Sequence, residues 1–304
     1  MSVFAIIAAL LLEQWRPLSD RKAAFQALSS WADWLERSFD AGEAHHGRIA
    51  WGVAMVVPIA AAVVLYHALY WVSPFAAFLV NVAALYFTMG FRQFSHFFTG
   101  IQAAVRDGDM DQARELLGAW RGESATHRSR EEVMRLAIEE AVAASHRHVF
   151  AVIFWFMVLV LPLGPAGAIL YRLACFLDRH WRGKGDFGGF AAQAVYWLEW
   201  PVARLTAASF AVVGDFEDAV FCWRTQAGAW FDRNLGIVLA AAGGALGVKL
   251  GMPLTEIEGL QPRPDLGVGE AADAQHLDSA VGLLWRALVL WVFVLLVISL
   301  LRAF

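Results

Sequence analysis

The sequence predicts an all-α fold, a polytopic integral membrane helical bundle with cytoplasmic amphipathic helices, and three observations predict it. No Asp, Glu, Lys or Arg occurs between Arg48 and Arg92. Hydrophobic residues make up 59% of the 304-residue chain and charged residues 17%, which is not the balance of a water-soluble domain. Apolar blocks of bilayer dimensions recur along the chain, at residues 2–12, 52–71, 74–91, 149–171 and 280–301. Together these describe one integral membrane domain over residues 1–304.

Residues 2–12 form a short first crossing or an interfacial helix. They lack a basic n-region and a small-residue cleavage site, so they are not a cleaved signal peptide. Within 13–50, Phe25, Leu28, Trp31 or Ala32 and Leu35 recur at helical spacing, and Trp31 and Trp34 suit a helix lying at the membrane interface. A crossing needs about 20 apolar helical residues, so the uncharged stretch from Gly52 to Phe91 reads as two crossings joined at Ser73-Pro74.

Residues 92–148 form a polar insert with eight arginines and no lysine. Asp109 with Gln112, and Ser129 with Glu132, follow the capping-box spacing in which two side chains satisfy free helix N–H groups. The insert therefore reads as two ordered helices. Its positive charge, and that of Arg179, Arg182 and Lys184, places both segments on the cytoplasmic side. The block 149–171 is interrupted at Pro162 and at Gly164 to Gly167, which predicts a bend or re-entrant hairpin. The stretches 202–213 and 236–248 are rich in Ala and Gly but short for a crossing, and Gly214-Asp-Phe-Glu-Asp reads as a helix start capped by Asp215. Residues 253–279 read as a linker punctuated by Pro and Gly, and 280–301, charged only at Arg286, as the last crossing.

The net charge of −4 and the absence of a basic stripe exclude nucleic acid as partner. Cys175 and Cys222 lie in apolar helical context and read as buried small hydrophobes rather than a disulfide or metal pair. No phosphate-cradling loop, C-x-x-C pair, G-x-S-x-G elbow or H-E-x-x-H helix is present, and no metal site is expected.

The candidate site residues are therefore clusters beside the apolar blocks. His146-Arg147-His148 opens the fourth block, with His146 and His148 on different helix faces, as interfacial snorkelling groups or as functional ones. Glu139 and Glu140 are spaced to pair with Arg135 or His146, on what reads as a solvated face. Arg204 is the one charge between Trp200 and Gly214. It either faces a partner or polar cavity, or snorkels and pairs with Glu199. Pro201 is expected to disturb the helix just before it.

Read in order, Arg135…Glu139, AVIFWF at 151–156, AILYRLACFLD ending at Asp178, WPVARL at 200–205, AGGALGVKLG at 242–251 and the C-terminal crossing resemble the CobD/CbiB family of membrane proteins. That family includes adenosylcobinamide-phosphate synthases and AmpE-type proteins linked to β-lactamase induction. The resemblance implies, for the synthases, an ATP- and magnesium-driven amide bond between a corrinoid acid and an aminopropanol. Where synthases carry E-x-V-A-E-N-x-x-D-G, this chain keeps Glu139 but has Ala143, Ala144 and Arg147 in place of Glu, Asn and Asp. Where they carry N-T-L-D-S it keeps Asp178 and lacks the Asn, and Val195-Tyr196 replaces an acidic pair. Metal-bound phosphates need hard oxygen ligands, so these losses point to a non-catalytic AmpE-like accessory or signalling protein. Glu13, Arg147 and Trp200 to Leu205 are similar to the AmpE-type pattern, whereas AGGALGVKLGMPL and the linker after it are closer to the synthases. The rival expectation is an adenosylcobinamide-phosphate synthase-like ligase with ligands moved to Glu139, Glu140, Asp178 and Asp186. A transporter is disfavoured by the few intramembrane charges.

The residue clusters and the resemblance together give Arg135, Glu139, Glu140, His146, Arg147, Asp178 and Arg204 as ligand-binding candidates. The resemblance implies no cofactor for the accessory protein, and ATP and magnesium for the synthase. The expected partners are the lipid bilayer, a corrinoid or cell-wall-related small ligand and further copies of the chain. The expected location is the bacterial cytoplasmic (inner) membrane, with several passes.

The charge distribution gives a topology that thiol labelling can check. In a background lacking Cys175 and Cys222, a cysteine at Ser73 should react with an impermeant reagent on intact cells and one at Ser124 should not. Labelling at Ser124 alone contradicts this orientation.

Overall fold

The computed structural model describes residues 2–15, 22–40, 44–254 and 263–301. It is 84% helical, as an all-α reading requires. In chain order the helices are α1 (Ser2–Trp15), α2 (Lys22–Phe39), α3 (Ala44–Val72), α4 (Pro74–Thr88), α5 (Phe91–Asp107), α6 (Met110–Arg121) and α7 (Arg130–Ser145). A π-helical turn (His146–Phe150) leads into α8 (Ala151–Leu163), followed by α9 (Ala166–His180), α10 (Gly185–Val213) and α11 (Phe216–Thr225). Helix α12 (Arg233–Leu246), strands β1 (Leu250–Gly251) and β2 (Asp265–Leu266), and α13 (Ala274–Leu301) complete the chain.

Three described helical stretches are long and apolar enough to cross a bilayer: His45–Val72, Arg130–Leu163 and Ala274–Leu301. Two of the apolar segments form helices that are short for a crossing. Helices α1 and α4 have 14 and 15 residues, so each spans only about 20–23 Å at 1.5 Å per residue, against a hydrocarbon core of about 30 Å. The block 149–171 is not one span. Its apolar helix extends back through the π turn to Arg130 and stops at Leu163.

The chain divides into two compact units, Met1–Gly90 with Ala151–Trp200, and Phe91–Phe150 with Pro201–Phe304. In the first unit, α2, α3 and α9 meet in a core of Ala32, Leu35, Ala50, Ala54, Leu173, Leu177, Trp181 and Phe187. The amphipathic α2 thus buries its apolar stripe against protein. Leu28 and Trp31 pack at its edge, and the side chain of Phe25 lies outside the described residues. Ser73 caps α4 through the Phe75 N–H, as a helix beginning with Pro at its first position allows.

The expected interruption of the fourth block is a helical hairpin. Gly164, at φ +58°, ends α8, and α9 packs back on α8. The return is close: a Cβ at Gly167 would sit 1.8 Å from the Trp155 carbonyl oxygen.

In the second unit α7 is central, packed by α5, α6, α12 and α13. Nearly all its residues are buried. The Ser129–Glu132 capping box forms in full, and Asp109 and Asp215 cap α6 and α11. The Ala/Gly stretch of α12 lets α11 lie against it, because a Cβ at Gly244 would meet the Asp218 carbonyl oxygen at 2.4 Å.

The reading of 253–279 as linker holds only in part. Asp265–Leu266 pairs antiparallel with Leu250–Gly251, α13 begins at Ala274, and 255–262 lies outside the described residues. The hairpin is held by side-chain amide bonds that local sequence does not reveal. Gln226 accepts the Gly267 N–H at 2.7 Å and donates to the Gly267 carbonyl at 3.1 Å.

The hairpin return predicts an asymmetric pair of substitutions. Gly167→Ala should lower stability in detergent by about 1–3 kcal/mol, since backbone atoms cannot yield to the methyl group. Gly189→Ala, with nothing within 4 Å of its Cβ, should be neutral or gain up to about 1 kcal/mol from helix propensity. Thermal melts of the purified variants measure both.

Candidate functional site

Helix α7 buries charged residues on one stripe. Glu132, Arg135 and Glu139, then His146 at the start of the π turn, are separated by three, four and seven residues, which stacks them on one helix face. All four are buried. Glu132 is satisfied locally, its carboxylate accepting the Ser129 N–H at 2.8 Å in the capping box. Arg135 and Glu139, with side chains only 3% and 6% exposed, need partners from elsewhere in the unit. A buried ion left alone carries a desolvation penalty of several kcal/mol.

The hairpin supplies them. Glu139 accepts the Gly251 N–H at 2.8 Å through Oε1 and the Arg263 guanidinium through Oε2. Arg135 donates to the Pro253 carbonyl at 3.4 Å and lies 3.9 Å from the Glu131 carboxylate. Gly251, at φ +73°, has its Cα hydrogens where a Cβ would fall 2.1 Å from the Pro264 carbonyl oxygen. Only glycine can pair there and still aim its N–H at Glu139. Met252, at φ +60°, turns the chain so that its own N–H reaches the Pro264 carbonyl at 3.1 Å. Arg263 lies over the Trp230 ring, 5.2 Å from its centroid, a cation–π contact that adds to the ion pair.

Further pairs flank the stripe. Arg147 bonds Asp232 at 3.1 Å, and Asp232 also caps α12 through the Asn234 and Leu235 N–H groups. Arg121 lies between Glu140 at 3.8 Å and Glu123 at 3.6 Å. His146 Nδ1 is 3.1 Å from the Thr206 hydroxyl. Three expectations are thereby corrected. Glu139 is not on a solvated face, because the hairpin covers it, and Glu140 pairs with Arg121 rather than Arg135 or His146. His146 does not snorkel, being fully buried against α10.

The remaining candidates fall elsewhere. Asp178 belongs to the first unit and accepts Arg182 at 2.8 Å. Asp186 is exposed at the start of α10. Of the ligand set expected for a synthase, Glu139 and Glu140 thus lie in one unit and Asp178 and Asp186 in the other. Glu199 is buried and accepts the Tyr171 hydroxyl at 3.1 Å. Arg204 is half-buried on α10, which runs through Pro201 without interruption, contrary to expectation.

Among the described residues one group has the donors of a cation site, Asp33, Glu36 and His180. Lys184 already holds both Glu36 oxygens at 2.7 Å and His180 bonds Asp33 at 2.7 Å, so the group is a satisfied ion-pair network. A groove of about 520 Å³ along α6, lined by Asp111, Arg114 and Glu115 among others, is open and includes no residue of the α7 stripe. Cys222 is no activated nucleophile: burial, reinforced by Asp218, pushes its thiol up to about 11. Both cysteines are buried and neither is in a disulfide.

Arg263 and Trp230 were not among the candidates. Their one sequence signal is an Arg set between Pro262 and Pro264, whose fixed φ angles favour a rigid presentation.

The profile of the CobD/Cbib protein family matches residues 6–284, which include every residue of this cluster. A protein of Stutzerimonas stutzeri named cobalamin biosynthesis protein CobD is 34% identical over 305 residues, covering 97% of this chain and 98% of that protein. One of Chromobacterium violaceum with the same name is 36% identical over 222 residues, 72% of this chain and 70% of that protein. One of Mycobacterium tuberculosis, also so named, is 29% identical over 182 residues, 57% of each chain. No solved structure matches. On the strength of the profile match and the near full-length similarity to the Stutzerimonas protein, the chain belongs to the CobD/CbiB family.

Proposed function

We propose that the chain works in cobalamin biosynthesis as a multi-pass protein of the bacterial cytoplasmic membrane, and that it forms the amide bond of the family's synthases with the α7 cluster as its polar site. The observation that carries this reading is Glu139: a carboxylate buried on a membrane-type helix, clasped by Arg263 and the Gly251 amide, inside the family-matched region. Ionisable groups in apolar helices are costly and tend to mark function. A purely structural helix of this burial would be stabilised at least as well by apolar residues in their place.

ATP and magnesium are the co-reactants of such a step. The cationic donors Arg135 and Arg263 suit phosphate oxygens. The carboxylates fit magnesium poorly. Glu132 is held in the capping box, Glu139 by Arg263 and Glu140 by Arg121, so among the described residues no ready cage of hard oxygen ligands stands beside the stripe. The residues themselves would orient and neutralise an anionic substrate, and the burial of the stripe would keep water from the reacting acyl group.

A second reading, the AmpE-like accessory or signalling protein, is favoured by particular residues. Ala143 and Ala144 are buried where synthases have Glu and Asn, and Arg147 is tied to Asp232 where they have Asp. Complementation separates the two. The wild-type gene should restore corrinoid amide formation in a strain lacking the synthase, and Glu139→Ala should reduce it by 100-fold or more, an estimate on the order of the loss of one transition-state contact of about 2.7–4 kcal/mol. Full-length, membrane-inserted protein that fails to restore it supports the accessory reading.

A further inference from the structure

Helix α13 carries a charge on its outer face. Trp285, Val289, Phe293 and Val297 recur there every four residues and are exposed, and Arg286 beside them is exposed too. The opposite face, with Ala280, Leu284 and Leu288, is buried. The helix is long and apolar enough to cross a bilayer, so the outer stripe is the one that meets lipid. A charged side chain in such a helix is costly, and most face the bundle interior or an aqueous cavity instead. Among the described residues no carboxylate meets Arg286. Its hydrogen bond runs from Nε to the Gly282 carbonyl oxygen at 3.2 Å.

That bond fixes the depth of the charge. It folds the side chain back by one turn towards the start of the helix, the direction in which helical side chains lean. Arg286 stands six residues past Ala280, where the apolar run begins, so its Cα is about 9 Å inside that run. Reaching back one turn, about 5.4 Å, brings the guanidinium to the edge of the hydrocarbon, where head groups begin. There is room for a head group at that level. A Cβ at Gly282 would have nothing within 4 Å, and Trp285 and Arg286 follow one turn later on the same side.

The leaflet follows from a second contact. At this end of α13, Asp278 accepts from Gln102 and, at 2.6 Å, from Arg106, both on α5. Helix α5 opens the arginine-rich insert whose charge predicts the cytoplasmic side, and the cytoplasmic leaflet is the anionic one.

We propose that Arg286, with Trp285 and the open backbone at Gly282, holds the phosphodiester head group of an anionic phospholipid against α13. After the bond to Gly282 the guanidinium keeps N–H groups that can meet two phosphate oxygens at once. The acyl chains would then run along Val289 and Phe293. A lipid thus satisfies the charge and the apolar stripe together, whereas a soluble anion satisfies the charge alone. The proposal rests on α13 lying in a bilayer and is independent of the chemistry assigned to α7.

The test places a fluorescent probe on a cysteine at Val289, which is 63% exposed and lies just below Arg286 on the same stripe. The full-length chain, lacking Cys175 and Cys222, is reconstituted in phosphatidylcholine vesicles. Brominated phosphatidylglycerol or brominated phosphatidylcholine is then titrated in. Bromine quenches only at short range, so quenching reports which lipid sits against the stripe. Phosphatidylglycerol should be preferred about fivefold, the usual contribution of one Arg near an anionic lipid surface. Arg286→Gln should abolish that preference and leave quenching by phosphatidylcholine unchanged. Arg182→Gln, which removes an exposed charge from the first unit, should retain it. Soluble glycerol phosphate should not relieve the quenching.

Equal quenching by the two lipids, a preference that survives Arg286→Gln, or relief by glycerol phosphate overturns the proposal. Absence of quenching by either lipid overturns it as well, together with the reading of α13 as a crossing. None of these results bears on whether the gene restores amide formation, which complementation scores separately.

Discussion

The second unit depends on one constraint: a helix buried on nearly every side carries charges that cannot reach water. Arg135 and Glu139 occupy positions on α7 where an apolar residue would pack without further help. Each must therefore be met by another part of the chain, and the hairpin after α12 is what meets them. Its details follow from that requirement. Gly251 gives its amide to Glu139 in a conformation closed to other residues, Met252 holds a left-handed turn, and Arg263 comes back over Trp230 to complete the ion pair. A left-handed backbone at a residue other than glycine is sparsely populated and persists where its surroundings enforce it.

Much of this architecture is legible locally. The Ser129–Glu132 box, the Asp215 cap, the Ser73-Pro74 start and the Gly164 turn all form as their sequences suggest, because each is decided by contacts within a few residues. The site itself is only half legible. The spacing of Glu132, Arg135, Glu139 and His146 marks a stripe, but the adjacent Glu140 and Arg147 make the segment resemble a solvated helix. Deciding between them requires knowing what covers the stripe. The cover is Arg263, which is 124 residues away from Glu139 in sequence, and it follows a segment whose prolines and glycines read as a linker. No periodicity predicts a contact of that range.

The same argument explains where the apolar pattern misleads. Hydropathy places a crossing at 149–171, yet the helix that continues into it begins at Arg130, and a glycine turn stops it at Leu163. The π turn at His146–Phe150 joins the charged half of this helix to its apolar half, and such insertions are often found at functional sites. Three of the expected departures from the synthase pattern, at Ala143, Ala144 and Arg147, fall in or just before this turn, and the others lie near Asp178 and at Val195-Tyr196.

The central claim is that the buried Glu139–Arg263 pair organises this unit. A double-mutant cycle on Glu139→Gln and Arg263→Gln, read by reversible unfolding of the purified chain in detergent, tests it most directly. Breaking a buried pair from one side costs roughly 3–5 kcal/mol because the surviving charge is stranded. The account predicts that each single variant loses stability on that scale and that the double variant loses little more than either, a coupling well above 1 kcal/mol. Additive losses, agreeing within about 0.5 kcal/mol as for independent sites, would contradict it.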